Sequence, residues 1–407
     1  MKKICLTLVG IYMMMLHAYS QFEDKDTSFY IPKPLKIDEI NLVSSYYKQD
    51  GNHSAVTGGI GTEKVTDFSN GLEVKWIGWD NMQRKNILTA GLGFDHHTSA
   101  SSAFVSTSGA SKPGGSRIYP SLNWSVENQQ KGTGFGLGLY YSKEYNYTSY
   151  GIDAEYSKKT KNNGEFTGKI TGYFDQVKLI YPSEFVKAAT VTAASSRGGD
   201  DNASRSRIPS SPRTTLTASF SFSQIINQRL EGIILLDAVG QSGYLGLPFH
   251  RVYFSDGTPN IEKLPSQRFK LPIGIRLNYF LGDRIILRSY YRYYIDSWGL
   301  QSHTASLEVP VKITPFFSIS PFYRFYNQTA IKYFAPYGMH TAQDQYYTSN
   351  YDLSKFNSNF FGAGIRIAPP KGILGNQHFN MIEIRYGHYS KNIEMNADVI
   401  SMNLKFK

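Results

Sequence analysis

Three features of the chain predict an all-β fold, a transmembrane antiparallel up-and-down β-barrel of about 16 strands, with about 14 as the lower limit. Many short segments alternate apolar and polar residues, and their connections fall into short turns and long loops. The chain is also rich in tyrosine, phenylalanine and glycine, although only 41% of its residues are hydrophobic. This balance fits a membrane barrel because lipid-facing and lumen-facing residues alternate along each strand.

The clearest alternation lies in a predicted hairpin at 267–296. Phe269 and Ile273 share one face of its first half, whereas Arg276 lies on the other face. The second half repeats the pattern, with Arg292 on the face opposite the apolar residues. Two such strands joined by a turn of a few residues are typical of a barrel wall. The hairpin alone leaves a soluble sandwich edge open as the alternative.

The same alternation predicts strands along the rest of the chain. The predicted ranges are 38–48, 70–79, 86–97, 116–126, 133–145, 148–158, 165–181, 213–226, 230–241, 267–281, 284–296, 301–313, 316–326, 355–368, 378–389 and 396–407. Pro272, Pro310 and Pro321 are the least regular positions in this assignment, because each removes a ladder hydrogen bond.

The lengths of the connections favour the membrane barrel over the sandwich. Short turns follow every even-numbered strand up to the fourteenth, whereas the long loops all follow odd-numbered strands. The predicted long loops are 49–69, 98–115, 182–212, 242–266 and 327–354. Outer-membrane barrels place short turns at the periplasmic rim and long loops outside the cell. We therefore expect extracellular long loops and periplasmic termini.

The chain is expected to divide into three parts. Residues 1–20 read as a secretory signal peptide, since Lys2 and Lys3 precede an apolar run and small residues precede the expected cleavage point. Residues 21–36 are a short periplasmic lead, and 37–407 form the outer-membrane barrel. Phe406 next to the end resembles the C-terminal assembly signal of such barrels, with Lys407 in place of the usual terminal aromatic residue.

Cysteine usage and charge narrow the possible partners. Cys5 is the only cysteine and lies within the expected signal peptide, so no disulfide or cysteine metal site is predicted. The formal charge of +11 becomes +9 when Lys2 and Lys3 are removed. Export argues against nucleic acid as the partner of this basic chain. Outer-membrane lipid and lipopolysaccharide are expected partners, with other envelope proteins as further candidates, and no cofactor is predicted.

The loop at 182–212 is expected to take part in this contact with lipopolysaccharide. It is rich in serine, alanine and glycine and contains Arg197, Arg205 and Arg207. Such a composition is typical of a mobile surface segment. Its arginines are expected to contact phosphate-bearing glycolipid.

Three segments resemble a known bacterial family. They are YYKQDGNHSAVTGGIGTEKVTD at 46–67, GYLGLPFHRVYF at 243–254 and SYYRYYIDSWGLQSHT at 289–304. They are similar to the recurring segments of the family catalogued as domain of unknown function 3570. The family often has a second acidic residue where this chain has Ser297, so a paired acid at that turn is not expected here. The resemblance implies an outer-membrane barrel and no settled activity.

Charged residues on one face of the later strands are the main candidates for function. Strand parity predicts that they line the lumen: Lys270, Arg276, Arg288, Arg292, Glu308, Lys312, Arg324, Arg366, Glu383 and Arg385. Eight of these residues are basic and two are acidic. The arginines either pair with glutamates to brace the wall or make the pore selective for anions. The sequence leaves both roles open.

The first long loop is the candidate for a constriction. It contains Gly58, Gly59, Gly61 and Glu63. A nucleotide-binding glycine loop is excluded because no helix follows to offer its N-terminus to a phosphate. Glycines permit left-handed turns, and such a loop is expected to pack against the rim or inside the lumen.

Metal binding is a weaker alternative at two places. Asp50, Glu63 and Asp67 offer oxygen ligands for a hard cation but lack a dedicated spacing motif. His96 and His97 follow each other in a strand, so their side chains face opposite ways. We predict no metal site.

A lipid hydrolase is the alternative from the class of enzymes. Ser302 and His303 lie near the outer rim, but neighbouring residues on opposite faces of a strand do not form a nucleophile and base pair. No nucleophile motif is recognisable elsewhere. The sequence therefore predicts no enzyme and no catalytic residue.

The sequence as a whole favours an outer-membrane barrel that passively conducts small anionic solutes, as a porin does. The alternative is an occluded barrel that acts as a structural, assembly or docking component of an envelope complex.

Overall fold

In the computed structural model, residues 31–98, 115–185 and 209–407 are described. Their strands are β1 Lys33–Gly51, β2 Val65–Trp79, β3 Lys85–His97, β4 Gly115–Asn128, β5 Thr133–Lys143, β6 Tyr147–Lys159, β7 Gly164–Lys178, β8 Ser210–Asn227, β9 Leu230–Gly243, β10 Arg251–Tyr253, β11 Pro259–Ile261, β12 Gln267–Leu281, β13 Ile285–Asp296, β14 Gln301–Glu308, β15 Val311–Thr314, β16 Phe317–Gln328, β17 Phe356–Ile367, β18 Phe379–Lys391 and β19 Met395–Phe406.

Antiparallel pairing closes these strands into a ring. Each wall strand pairs with its neighbours in the chain, and β1 pairs with both β2 and the last strand, β19. β10 and β11 form a separate two-stranded sheet within a loop. Closure matters because lipid offers no hydrogen bonds to an open sheet edge. The predicted antiparallel barrel is confirmed.

One wall strand is interrupted by proline. β14 and β15 both pair with β13 and β16, on either side of Val309 and Pro310, and together act as one of sixteen wall strands. Pro310 has no backbone N–H, so the ladder breaks where the donor is missing. Pro272 lies within β12, at a gap in its register with β9. Proline thus disturbs single ladder positions without opening the barrel.

The predicted strands agree closely with the observed ones. β12 has the predicted bounds, and the predicted strand at 301–313 corresponds to the interrupted pair β14 and β15. β1 differs most, because it begins at Lys33, within the stretch expected to be a periplasmic lead. Its extra residues pair irregularly with β2, with register shifts after Lys33 and Ile37. The predicted signal peptide lies outside the described residues.

Alternate residues of each strand expose apolar side chains on the outer surface. In β12 the exposed residues include Ile273, Ile275 and Leu277, and in β8 they include Leu216 and Phe220. The core of a soluble protein would bury such side chains, whereas a membrane barrel turns them toward lipid. Among the described residues, no helix has the length and hydropathy needed to span a membrane.

The link between β13 and β14 is organised by a buried carboxylate. Asp296 Oδ1 accepts hydrogen bonds from the backbone N–H groups of Trp298 and Leu300, at 2.9 and 3.1 Å. Its Oδ2 accepts one from Tyr294 Oη at 2.8 Å and one from Arg268 Nε at 2.9 Å. The Arg268 guanidinium also covers the Trp298 ring. One side chain therefore fixes the turn and anchors β12 to it.

Replacing Asp296 with alanine is expected to destabilise the barrel by about 3 to 5 kcal/mol, because it leaves Arg268 buried without its counter-charge. The Asp296 side chain is 0% exposed. Urea unfolding in lipid vesicles measures the change. The control is Asp283→Ala in the exposed turn after β12, for which we expect a change of about 0.5 kcal/mol or less. Equal shifts in the two variants would contradict this role for Asp296.

A lysine at Ile275, halfway along the lipid face of β12, is expected to cost about 2 to 4 kcal/mol of folding free energy. The matched control is Thr217→Lys in β8, where the alternation with exposed Leu216 points the side chain inward. The inward lysine stays in water and should cost far less. Urea unfolding in lipid vesicles measures the folding free energy of both variants. A larger loss for Thr217→Lys than for the lysine at Ile275 would refute the assignment of the two faces.

Candidate lumen site and loop cap

Cross-strand pairing aligns the predicted charged residues in rows on one face. Directly paired residues project to the same side of a sheet, so a row can be followed from strand to strand. From the loop end to the turn end, the rows contain Lys270; then, after one row without a predicted residue, Arg292; Arg276 and Arg324; Arg288 and Glu308; Arg385; and Lys312, Arg366 and Glu383. Their parity is opposite to that of the exposed apolar residues. The basic residues therefore run along the barrel as a ladder.

Two arginines of the ladder are paired with glutamates. Arg385 Nη1 donates to Glu308 Oε1 and to Glu383 Oε1, each at 3.1 Å, and Arg288 Nη1 lies 3.8 Å from Glu308 Oε1. β16 and β17 separate the strands of Arg385 and Glu308, so this contact spans both strands on the concave side. Gly364 leaves room for it, since a Cβ there would lie 3.0 Å from Arg385 Cγ. The bracing interpretation fits Arg288 and Arg385.

Three other rungs have no carboxylate within ion-pair distance among the described residues. Arg276 lies over the ring of Tyr290, and Arg324 lies 5.0 Å from the centre of the Phe360 ring. Arg292 Nε is buried and makes no hydrogen bond. A ring face holds a guanidinium in place without cancelling its charge. These arginines remain available to an anion.

One basic residue of the ladder escaped the sequence analysis. Lys391 ends β18 and lies in the row of Arg292, and its Nζ contacts Asp352 Oδ1 at 2.6 Å. The predicted strand ends at residue 389, so Lys391 lies outside it. Continued alternation from Tyr389 to Lys391 was the signal that could have extended the strand.

Several loops meet across the mouth of the barrel. β1 and β2 lie eight strands around the ring from β9 and β12, which is half of its circumference. The loops 52–64 and 244–266, which join these two pairs, nevertheless touch each other. A barrel of about 16 tilted strands is roughly 30 Å wide, so these loops reach toward its axis. We call 52–64, 244–266 and 329–355 together the loop cap.

Arg251 holds the loop cap together. Its Nη1 donates to the carbonyl oxygen of Val56 at 2.9 Å, and its guanidinium forms an ion pair with Glu184. Glu184 comes from the loop after β7, which lies elsewhere on the rim. The Arg251 side chain is only 6% exposed, whereas that of Glu184 is 35% exposed. A single side chain thus joins three loops.

The glycines predicted to form a constriction are the contact points of the first loop. Gly58, Gly59 and Gly61 have φ values of +83°, +86° and +83°, the left-handed region that favours glycine. A Cβ at Gly59 would lie 2.5 Å from the Ser349 carbonyl oxygen, and one at Gly58 would lie 2.7 Å from the Tyr253 ring. The glycines let the backbone touch the opposite loops. Their role as a constriction stays a prediction.

Glu63 lies at the base of the loop cap. Burial and then the charge of Asp352 raise the pKa of Glu63 to about 7, while Lys391 opposes the shift. Gln49 Nε2 donates to its backbone carbonyl oxygen at 3.3 Å. The charge at this end of the ladder therefore changes near neutral pH.

The loop cap has its own core with a buried acid and a buried histidine. Val252, Phe254 and Tyr347 form an apolar cluster. Glu262 accepts hydrogen bonds from Thr348 Oγ1 and from the Leu247 N–H, the latter at 2.7 Å. Burial raises the pKa of Glu262 to about 7, although these two bonds oppose it. His250 Nδ1 lies 4.0 Å from Glu262, and burial lowers the pKa of His250 to about 3.

The alternative chemical sites are not assembled by the fold. His303 Nδ1 lies 2.7 Å from Tyr291 Oη on the exposed face, whereas its neighbour Ser302 is buried. His96 contacts Ser116, and His97 lies 3.5 Å from Glu144. Within the described ranges, no three histidine, aspartate or glutamate side chains are grouped as metal ligands.

Comparison with known protein families identifies the family of this chain. Residues 103–400, more than half of the sequence, match the model described as Protein of unknown function (DUF3570). The chain belongs to the DUF3570 family. Two of the three segments that suggested this family lie inside the match, and the segment at 46–67 lies outside it. With its closed wall and apolar outer surface, this DUF3570 member is a protein of the bacterial outer membrane.

Among solved structures, several outer-membrane barrels are distantly similar. A bacterial polysaccharide outer membrane secretin has a TM-score of 0.43 at 9% identity, over 90% of this chain and 98% of that chain. Pseudomonas aeruginosa OpdQ has a TM-score of 0.42 at 9% identity, over 93% and 99%. A BenF-like porin from Pseudomonas fluorescens Pf-5 has a TM-score of 0.39 at 7% identity, over 91% and 98%. No curated protein matches the sequence. The function must therefore be inferred from the chain's own residues.

Ser297, at which the family resemblance implied a second acid, has a structural role here. Ser297 Oγ accepts a hydrogen bond from the Phe269 N–H at 3.0 Å, and the Ser297 N–H donates to the Phe269 carbonyl oxygen at 2.9 Å. Asp296 alone supplies the carboxylate of the turn. The loop arginines expected to meet glycolipid, within 182–212, lie outside the described residues, as does almost all of the predicted loop 98–115.

The buried pair in the loop cap predicts a stability optimum between about pH 4.5 and pH 6.5. The raised pKa of Glu262 means that its stabilising contribution is lost as pH rises from 4.5 through about 7. The lowered pKa of His250 means that its contribution is lost as pH falls from 6.5 through about 3. Between pH 4.5 and pH 6.5 the two contributions to the free energy of unfolding change with pH in opposite directions, so they largely cancel.

Amide hydrogen exchange of 244–266 across this pH range measures the effect, with the amides of β12 as internal reference. Glu262→Gln should remove the loss on the alkaline side, and His250→Asn the loss on the acid side. Unchanged pH profiles in both variants would show that the pair does not control the loop cap.

Proposed function

We propose that this DUF3570 protein is a porin-like channel for small anionic solutes. The observation that carries the proposal is the set Arg276, Arg292 and Arg324, which share one face and have no carboxylate partner among the described residues. Arg288 and Arg385, by contrast, are paired with glutamates. Acids therefore neutralise only part of the ladder, and the remaining positive charge favours anions.

The arrangement suits conduction as well as attraction. From Arg292 to the turn end, successive rows of the ladder are two residues apart along a strand, which corresponds to about 7 Å. A solute can therefore contact the next rung before leaving the previous one. Conduction needs several sites of moderate strength, because one strong site would hold the solute. Cations stacked on rings supply charge without the rigid geometry of a closed binding pocket.

The loop cap supports a second candidate, an occluded barrel that acts as a structural or docking component. Loops from opposite sides of the mouth touch at Arg251 with Val56 and at Tyr253 with Gly58. In the channel proposal, these contacts narrow the entrance and solutes pass beside them. In the alternative, they close it. Docking would then involve other envelope proteins at the loop side, and the lipid and lipopolysaccharide contacts would be common to both.

Conductance in planar bilayers with a salt gradient separates the two candidates. We expect steady conductance and a reversal potential whose sign shows that chloride passes more readily than the cation. Neutralising Arg276 and Arg366 together, by changes to glutamine, should shift the potential toward zero because anions lose two attractive charges. The double change Arg84→Gln and Lys85→Gln, at the turn after β2, removes as many charges outside the ladder and should leave the potential unchanged.

Closed behaviour at all voltages would reject the channel and favour the occluded barrel. Cation preference would reject the assigned role of the arginines. Shortening the first loop by deleting 55–60 should raise the conductance if the loop cap narrows the entrance.

A further inference from the structure

A cavity in the lumen wall, directly below the loop cap, has the composition of a binding site. It has a volume of about 350 Å³ and is lined by Arg292, Thr304, Arg324, Tyr326, Phe356, Ser358, Tyr389 and Lys391. No acidic residue is among them. The sequence singled out two of its arginines as part of a long ladder but gave no reason to expect a discrete site.

The strand register assembles this cavity from five neighbouring strands. Arg292 pairs with Thr304, Thr304 with Tyr326, Tyr326 with Ser358, and Ser358 with Lys391, in one continuous row: Arg292, Thr304, Tyr326, Ser358 and Lys391. The next row toward the turns adds Arg324 and Tyr389, paired through Phe360. Paired residues project to the same side, so all these groups face one volume.

Two polar groups of the cavity have no hydrogen-bond partner. Thr304 is 6% exposed, and its Oγ1 is buried without a partner. Arg292 Nε, in the same row, is also buried and unpartnered. A buried hydroxyl without a partner is destabilising, and such groups are rare in native structures. A ligand that accepts hydrogen bonds from both groups would satisfy them.

The charges indicate a dianion. Lys391 is already paired with Asp352 of the loop cap, whereas Arg292 and Arg324 have no carboxylate partner within the described residues. The two arginines therefore leave about two positive charges facing a cavity with several hydroxyl donors. A carboxylate offers two oxygens and one charge, which one guanidinium can satisfy. A phosphate monoester carries about −1.5 to −2 charges and three acceptor oxygens.

We propose that this cavity binds a small phosphate monoester on its way through the barrel. Arg292 and Arg324 contact the phosphate, Thr304 donates a hydrogen bond to it, and the aromatic side chains of Tyr326, Phe356 and Tyr389 flank its organic group. This inference rests on the proposed channel for its physiological role, but the binding itself does not require conduction. The site lies directly below the loop cap, since β17 begins where the loop 329–355 ends.

The experiment measures affinity by isothermal titration calorimetry of the detergent-solubilised full-length barrel with phenyl phosphate. Benzoate at equal ionic strength is the comparison. We expect saturable binding of phenyl phosphate that is at least about tenfold tighter than that of benzoate. Arg292→Gln and Arg324→Gln should each weaken it by about tenfold or more. Arg117→Gln is the matched control and should leave the affinity unchanged, because Arg117 lies on β4, across the barrel from the cavity, and faces Asp95 on the neighbouring strand β3.

Thr304→Val keeps the site testable even if an arginine variant fails to fold. It removes the unpartnered hydroxyl at nearly constant shape, so a purely structural residue would leave binding unchanged and stability equal or higher. We expect equal or higher stability together with severalfold weaker binding of phenyl phosphate.

Each outcome separates this inference from the channel proposal. Anion-selective conductance without saturable binding of phenyl phosphate would overturn the site and leave the channel. Binding without conductance would support the site and reject the channel. Tighter binding of benzoate than of phenyl phosphate, or equal affinities in wild type and Thr304→Val, would overturn the assignment of a phosphate site.

Discussion

Everything in this protein depends on closure of the hydrogen-bonded ring between β1 and β19. In lipid, an open sheet edge would leave a row of backbone groups without partners, and each would cost several kcal/mol. Twelve residue pairs join the two strands in one continuous register. Closure fixes which residues face lipid and which face the lumen, because a slip of one residue would exchange the two faces. The ladder of basic residues exists only because this register is kept around the wall.

The loop cap is built by different physics. It has a small apolar core, an ion pair between buried Arg251 and Glu184, and hydrogen bonds to backbone carbonyl groups, as a soluble protein has. Arg251, Glu262 and His250 are buried in it, and they are charged or titratable. Burial makes titratable groups sensitive to pH and charged groups sensitive to the loss of a partner. The loop cap is therefore the part of the molecule whose stability changes with pH.

The two parts meet at the end of the ladder. Lys391 belongs to the wall and Asp352 to the loop cap, and their ion pair lies beside the cavity that contains Arg292 and Thr304. In the proposed channel, a solute that enters past the loop cap reaches Arg292 and Arg324 before it reaches the arginines paired with glutamates. Glu308 and Glu383 neutralise the ladder only nearer the turn end.

The sequence by itself determined the wall. A period of two residues is local, so the alternation at 267–281 predicted β12 to its last residue, and parity alone put Arg276 and Arg292 on one face. What only the tertiary structure decided is which side chains meet. The contact of Arg385 with Glu308 crosses two strands, and that of Arg251 with Val56 joins loops from opposite sides of the ring. Such contacts depend on curvature and loop path, which have no periodicity in the sequence. For the same reason, the sequence did not reveal the role of the segment at 243–254, which contains Arg251. Lys391 was recognised as part of the site only from its pairing with Ser358.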